Sequence, residues 1–385
     1  MSLTNAELRQ PAKQAKPVSG QFIDRTVVAD ATFLLSAIAL AALAYGLFYV
    51  PAIFMDDWTS VLERVLTGEA KWLDLTDSRH LLFTPFLLQY HLVGVQIHVY
   101  HFILIALTVL MALLFYKIVS RLPIVHAKSF GGVVALIFLL YPTNYTHMWL
   151  IMLGVSCAIV LTLLYAYLLL RYAEGGHRLQ LIGALACLLL SLGIYEAQIG
   201  VVSVWAVTLL LLYRQQPLPR RINLLAPLLL VGLFSLWRTV GYQATGVEDR
   251  YLEQMRVTSD IIFSRLLLGY KITLGWGWTY PIMHYLPTLA SAKYAGMALG
   301  LIVALLWGIL PWLNPYHEET VSAGHPSPWS HRQRWTAMRP YLAMIAIGFI
   351  LIGAGYVPTL FVYLPSLADI GSRFNIFATP LAAVC

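Results

Sequence analysis

The stretch HVYHFILIALTVLMALLFYKIVSR, residues 98–121, decides the fold. It holds no charged residue between His101 and Lys117. A helix over about 99–119, rising roughly 1.5 Å per residue, covers the ~30 Å hydrocarbon core of a bilayer. In that solvent every backbone N–H and C=O must be satisfied inside the segment, which a helix achieves and an open strand does not. Runs of this kind recur at about 31–53, 129–142, 148–170, 179–195, 199–213, 223–241, 294–313 and 340–363. They repeat as unbroken apolar lengths and not as alternating strands, so the chain reads as all-α, a polytopic transmembrane helical bundle of about 9–11 spans and not a barrel.

Composition agrees with that solvent. Apolar residues make up 59% and charged residues 11%, with a mean hydropathy of +0.72, against about 25% charged in soluble domains. The net charge of +7 comes from basic residues scattered over loops beside the spans, where they set orientation, so nucleic acid is not an expected partner. Cys157, Cys187 and Cys385 sit inside apolar runs without CxxC or Cys/His spacing, which points away from a disulfide framework or a zinc site. No small-residue cleavage site follows Leu34 to Val50, so that run reads as a retained anchor. The organisation is then a cytoplasmic tail over 1–30 and one transmembrane domain over 31–385, with a first outer loop at about 54–98.

Lys and Arg in the loops orient the bundle. Arg9, Lys13, Lys16 and Arg25 precede the first span; Lys117, Arg121 and Lys128 fill a later loop without an acid, as do Arg214, Arg220 and Arg221. These loops are expected inside. The 54–98 loop carries Asp56, Asp57, Glu63, Glu69, Asp74 and Asp77 against Arg64, Lys71 and Arg79, and is expected outside. Residues 259–283, interrupted by Arg265 and Lys271 and ended by GWGWTYP, are placed at the outer surface, because a span there would export Arg332, Arg334 and Arg339. On this topology Asp56, Asp57, Arg79, His147, Glu196, Arg238 and Arg373 gather near one face. Ionisable groups near an apolar core are costly and mark function. Only 12 residues follow Arg373, too few for a last span of about 20, so the reading expects the sequence to stop inside a helix.

In VPAIFMDDWTSVLERVL, residues 50–66, two carboxylates adjoin where the first apolar run stops. Trp58, Val61, Leu62, Val65 and Leu66 recur at spacings of three and four, which predicts an amphipathic helix on the outer membrane surface. Asp56 then stands at the N-cap, where a carboxylate accepts backbone N–H bonds. Capping explains one aspartate and leaves its neighbour to face a cavity, where a general base must lie within hydrogen-bond reach of an acceptor hydroxyl.

FMDDW at 54–58, the segment from DSRHLL at 77–82 through the histidine-bearing second span, and LLLSLGIYEAQIGVV at 188–202 together resemble the GT-C superfamily of polytopic glycosyltransferases, in particular its protein O-mannosyltransferase-like and bacterial polyprenyl-phosphate-sugar-dependent branch. The likeness in order covers roughly 30–215. Two positions depart from the family pattern: His80 follows Arg79 where proline is frequent, and Tyr195 stands where lysine usually precedes the glutamate.

The resemblance implies inverting transfer of a sugar from a polyprenyl-phosphate donor in the bilayer to a glycan, lipid or protein acceptor. It also implies a bacterial inner membrane with the N-terminus cytoplasmic and the site periplasmic or extracellular. Asp56 or Asp57 would be the base. Arg373 in DIGSRFN, with Arg79 and Arg238 behind it, would stabilise the departing lipid phosphate, a task suited to a permanently charged two-donor fork. Glu196 would orient the acceptor, order a metal or pair with an arginine, and His147 in NYTHMW would touch the donor phosphate. No cofactor is specified and a divalent metal stays open; His91, His98 and His101 share a helical face without a carboxylate or cysteine on the segment, which argues against a metal there. From other classes, a transporter or lipid flippase predicts an internal repeat with broken midplane helices, and a non-catalytic membrane subunit predicts tolerance of losing both aspartates.

Overall fold

The structure, a computed structural model, describes residues 25–41, 61–74, 79–122, 127–139, 150, 152–245, 259–276, 279, 302 and 331–360. Among them the chain is helical and no strand occurs. The order is α1 (Arg25–Ala41), α2 (Glu63–Leu66), α3 (Thr84–Val93), α4 (Ile97–Val119), α5 (Ala127–Leu139), α6 (Met152–Gly175) and α7 (Arg178–Ile194). A 3₁₀ turn (Glu196–Gln198) then leads into α8 (Ile199–Leu212), α9 (Leu218–Asn223), α10 (Ala226–Thr245), α11 (Ser259–Tyr270) with a π-helical extension (Lys271–Trp276), and α12 (His331–Leu360). Among the described residues three helical stretches, Ile97–Val119, Met152–Gly175 and Leu218–Arg238, are long and apolar enough to cross a membrane. The shorter apolar helices fall on the other predicted runs, except 294–313, which lies outside the described residues apart from Ile302.

Antiparallel α6 and α7 form the centre. Gly176, at φ +75°, closes α6 by donating its N–H to the Tyr172 carbonyl at 2.8 Å, the left-handed C-terminal cap that glycine adopts without steric cost. Small residues are buried along both helices: Ser156, Ala158 and Ala173 on α6 and Ala184 and Ser191 on α7 are all fully buried. Such residues let backbones approach where hydrophobicity gives helices no preference over lipid tails. A polar thread runs through the contact. Ser191 Oγ donates to the Ala158 carbonyl at 2.8 Å, lies 2.8 Å from Thr162 Oγ1 and accepts a close contact from Gln198 Nε2.

Around this pair, α4 packs on α1, α5 and α6, α10 leans on α7 and α8, and α12 lies along α8. The outward faces stay apolar: Leu229, Leu233, Leu236 and Val240 on α10, and Ile182, Leu189 and Leu190 on α7, are exposed. Such faces are a liability in water and a match for lipid.

Two elements expected at the membrane surface also pack on protein. In the first loop Val61, Leu62 and Val65 are buried as their spacing predicts, but against Phe83, Phe86, Tyr100, Leu104 and Leu153 of the bundle. Burial against protein gives their packed face close contacts that a lipid surface does not fix. Likewise, α11 and its extension pack into the bundle: Ile262, Leu266 and Tyr270 join Ile347, Leu351 and Tyr356 of α12, and Thr273 Oγ1 lies 2.6 Å from the Tyr356 hydroxyl. Arg265 is half-buried and Lys271 exposed.

Charge collects at the two ends of the α6–α7 pair. At one end Lys117 pairs with Asp30, Arg121 Nη1 donates to Glu174 at 2.9 Å, and Arg220 Nη1 reaches the Glu174 carbonyl at 3.4 Å. At the other end lies Glu196. The 17 residues of α7 separate the two clusters by roughly 25 Å, close to the thickness of a hydrocarbon core.

Candidate functional site

The second cluster is assembled from three separated parts of the chain. The loop after α2 returns through Arg79, His80 and Leu81; the turn between α7 and α8 brings Tyr195 and Glu196; α10 brings Trp237 and Arg238. A backbone bond from Leu81 N–H to the Gly193 carbonyl, 2.8 Å, fastens the loop to the end of α7. The absence of a side chain on Gly193 matters there, because a Cβ would stand 2.9 Å from Leu81 Cδ1.

Arg79 Nε lies 3.3 Å from Glu196 Oε2, and Arg238 Nη1 lies 3.4 Å from Glu196 Oε1. One carboxylate is thus held by two guanidiniums, and the triad keeps a net positive charge. Its side chains are only 15–20% exposed. Burial alone would raise the Glu196 carboxyl above its ordinary range; the attraction of Arg79 and Arg238, with a backbone hydrogen bond, outweighs it and holds the group low.

The aromatic neighbours position the cations. The Arg79 guanidinium sits 4.3 Å from the centre of the Tyr195 ring, a cation–π contact. His80, next along, accepts its own fixing: the Asp74 carbonyl takes a 2.7 Å hydrogen bond from Nδ1, Asp74 N–H donates to the His80 carbonyl at 2.9 Å, and the ring packs 4.6 Å from Trp237. A carbonyl can only accept, so Nδ1 carries a proton. Tyr195 thus lies against Arg79, and His80 ties the backbone at Asp74 to Trp237, the neighbour of Arg238 in the chain.

Of the sequence-predicted site residues, Arg79 and Glu196 come together, and Arg238 completes the pair. Asp56, Asp57, His147 and Arg373 lie outside the described residues. The sequence does not mark Tyr195 and Trp237 as site residues, since an aromatic residue at the end of an apolar run carries no signal separating a membrane-interface anchor from a cation's partner. His91 stacks with Trp72 at 5.5 Å and His101 is buried in α4; among the described residues no three His, Cys, Asp or Glu side chains form a group able to hold a metal.

No family model matches the chain, and neither a curated protein nor a solved structure matches it.

Proposed function

We propose that the chain is a membrane glycosyltransferase of the GT-C type, transferring a sugar from a polyprenyl-phosphate donor to a glycan, lipid or protein acceptor at the outer membrane face. One observation carries the reading: a net-positive Arg79–Glu196–Arg238 triad built at one end of apolar helices, where the loop that begins with Asp56 and Asp57 returns. A positively charged, partly dry site suits an anionic lipid phosphate. In the proposed reaction Asp56 or Asp57 removes the proton of the acceptor hydroxyl. The freed oxygen attacks the anomeric carbon from the face opposite the phosphate, and the sugar–phosphate bond breaks with inversion. The departing polyprenyl phosphate takes the electron pair, its charge balanced by arginine, with Arg373 joining Arg79 and Arg238.

The test is transfer of labelled sugar from polyprenyl-phosphate donors by membranes carrying the parent, Asp56→Asn or Asp57→Asn. Loss in one variant at normal expression names the base. Transfer by both variants at the parental rate makes the pair a helix cap, and a parent that transfers from no donor overturns the reading.

A further inference from the structure

A second feature runs along α8 toward the end of the bundle away from Glu196. Helices α4, α6, α8 and α12 leave an open groove between them. Its wall includes four side chains with polar atoms, and each turns that atom to a backbone carbonyl. Thr162 Oγ1 lies 2.9 Å from the Ala158 carbonyl, Tyr165 OH 3.4 Å from that of Val202, Trp205 Nε1 3.2 Å from that of Ala166, and Thr208 Oγ1 2.8 Å from that of Val204. What remains is an apolar surface that offers water no partners and matches a hydrocarbon chain.

Length narrows the occupant. Along α8 the groove runs from Val201 to Leu212, about 16 Å at 1.5 Å per residue, which is one leaflet of a ~30 Å core. A single acyl chain fits that span.

The groove's end identifies the headgroup. Leu122 and Leu212 line it, directly after Arg121 and directly before Tyr213 and Arg214. Arg121 and Arg171 both approach Glu174, at 2.9 and 4.0 Å, and Arg214 is exposed. Helix α12 runs antiparallel to α8: Ala354 meets Gly200, while Ile347 lines the groove with Thr208 and Leu212. Exposed Arg339 therefore lies a further ~12 Å toward the basic end. Glu174 is one carboxylate among these arginines, and the rim stays positive.

We infer that groove and rim together bind one anionic phospholipid, its acyl chain between α4, α6, α8 and α12 and its phosphate at the rim of Arg121 and Arg214. Charge complementarity selects the headgroup and the leaflet-length groove selects the chain. The site is separate from the Glu196 triad and stands whether or not the chain transfers sugar.

The test uses the whole chain purified in detergent, with phosphatidylglycerol and phosphatidylcholine of identical acyl chains added back, read by native mass spectrometry. The parent should retain one phosphatidylglycerol with a preference of about tenfold, the size expected from a charge-assisted contact. The combined variant Arg121→Gln, Arg214→Gln should lose that preference, and Arg121→Lys, Arg214→Lys should keep most of it. Val201→Trp, which fills the groove, should lower retention of both lipids. Should Val201→Trp fail to fold, chain-brominated phosphatidylglycerol should quench the part of the fluorescence that the parent has and Trp205→Phe lacks. Equal retention of the two lipids by the parent overturns the headgroup assignment, and unquenched Trp205 overturns the chain assignment.

Discussion

Arg79 and Glu196 stand 117 positions apart in the chain and 3.3 Å apart in the structure, Nε to Oε2, with the guanidinium stacked 4.3 Å from the ring centre of Tyr195. The contact ties the loop returning from α2 to the turn between α7 and α8. Arg238 on the other carboxylate oxygen, at 3.4 Å, draws α10 into the same clasp. A single carboxylate thus sets the mutual position of three elements.

Removing that carboxylate's charge leaves two guanidiniums facing a neutral amide. Glu196→Gln should destabilise the protein by about 2 kcal/mol, below the ~3–5 of a fully buried broken pair, because the three side chains keep 15–20% exposure. Arg79→Gln added to it should cost much less than the sum of the two single changes. Thermal unfolding in detergent of the two single variants and the double variant reads the coupling; strict additivity would mean that the pair contributes nothing.

The same carboxylate sets a pH dependence. Its folded value lies below the ordinary 4.5, so the folded state binds the proton less readily than the unfolded chain. The stabilisation is complete above the unfolded value and is lost as pH falls below about 4.5 and through the lower folded value. In melts between pH 6 and 3, the parent should lose more stability than Glu196→Gln over that window. Parallel curves would assign the acid sensitivity elsewhere.

Tyr195 serves Arg79 through its ring face. Tyr195→Phe keeps that face and should change stability by less than about 0.5 kcal/mol, while Tyr195→Ala should cost about 3 kcal/mol through lost packing at a buried site. Tyr195→Lys sets a third cation beside two and should be at least as damaging as alanine. A lysine variant as stable as the parent would show that Glu196 accommodates the extra charge.

Two glycines should respond differently to the same methyl group. At Gly200 a Cβ would collide with the Ala354 carbonyl oxygen of α12, and backbone cannot step aside without moving a helix. At Gly193 it would meet the Leu81 side chain at 2.9 Å, whose end can turn away. Gly200→Ala should therefore cost about 2–3 kcal/mol and loosen α12, and Gly193→Ala clearly less. Proteolysis or hydrogen exchange confined to α12 in Gly200→Ala is the accompanying sign; equal melts for the two would contradict the close approach.

Hydropathy made the helices legible before any coordinates. The runs at 99–119, 148–170, 179–195 and 199–213 recur as Ile97–Val119, Met152–Gly175, Arg178–Ile194 and Ile199–Leu212. A bilayer acts on each segment separately, through its length and its lack of charge, so one dimension of information suffices. Loop charge likewise foretold a basic end, and Arg121 and Arg220 do meet around Glu174. Arg79 and Glu196 could each be singled out, because an ionisable residue beside an apolar run is costly wherever it goes.

Partnership was decided only by tertiary packing. Nothing in the sequence distinguishes Arg238 from other arginines as the second partner of Glu196, or Tyr195 from an ordinary interfacial tyrosine. Nor does it show that Val61, Leu62 and Val65 bury against protein and not lipid, or that α4, α6, α8 and α12 part to leave a groove. The physical reason is the same in each case. In a chain that is apolar nearly all round its helices, lipid and protein neighbours look alike to a hydropathy pattern, and small residues, close backbone approaches and isolated charges choose among them only once the helices are side by side.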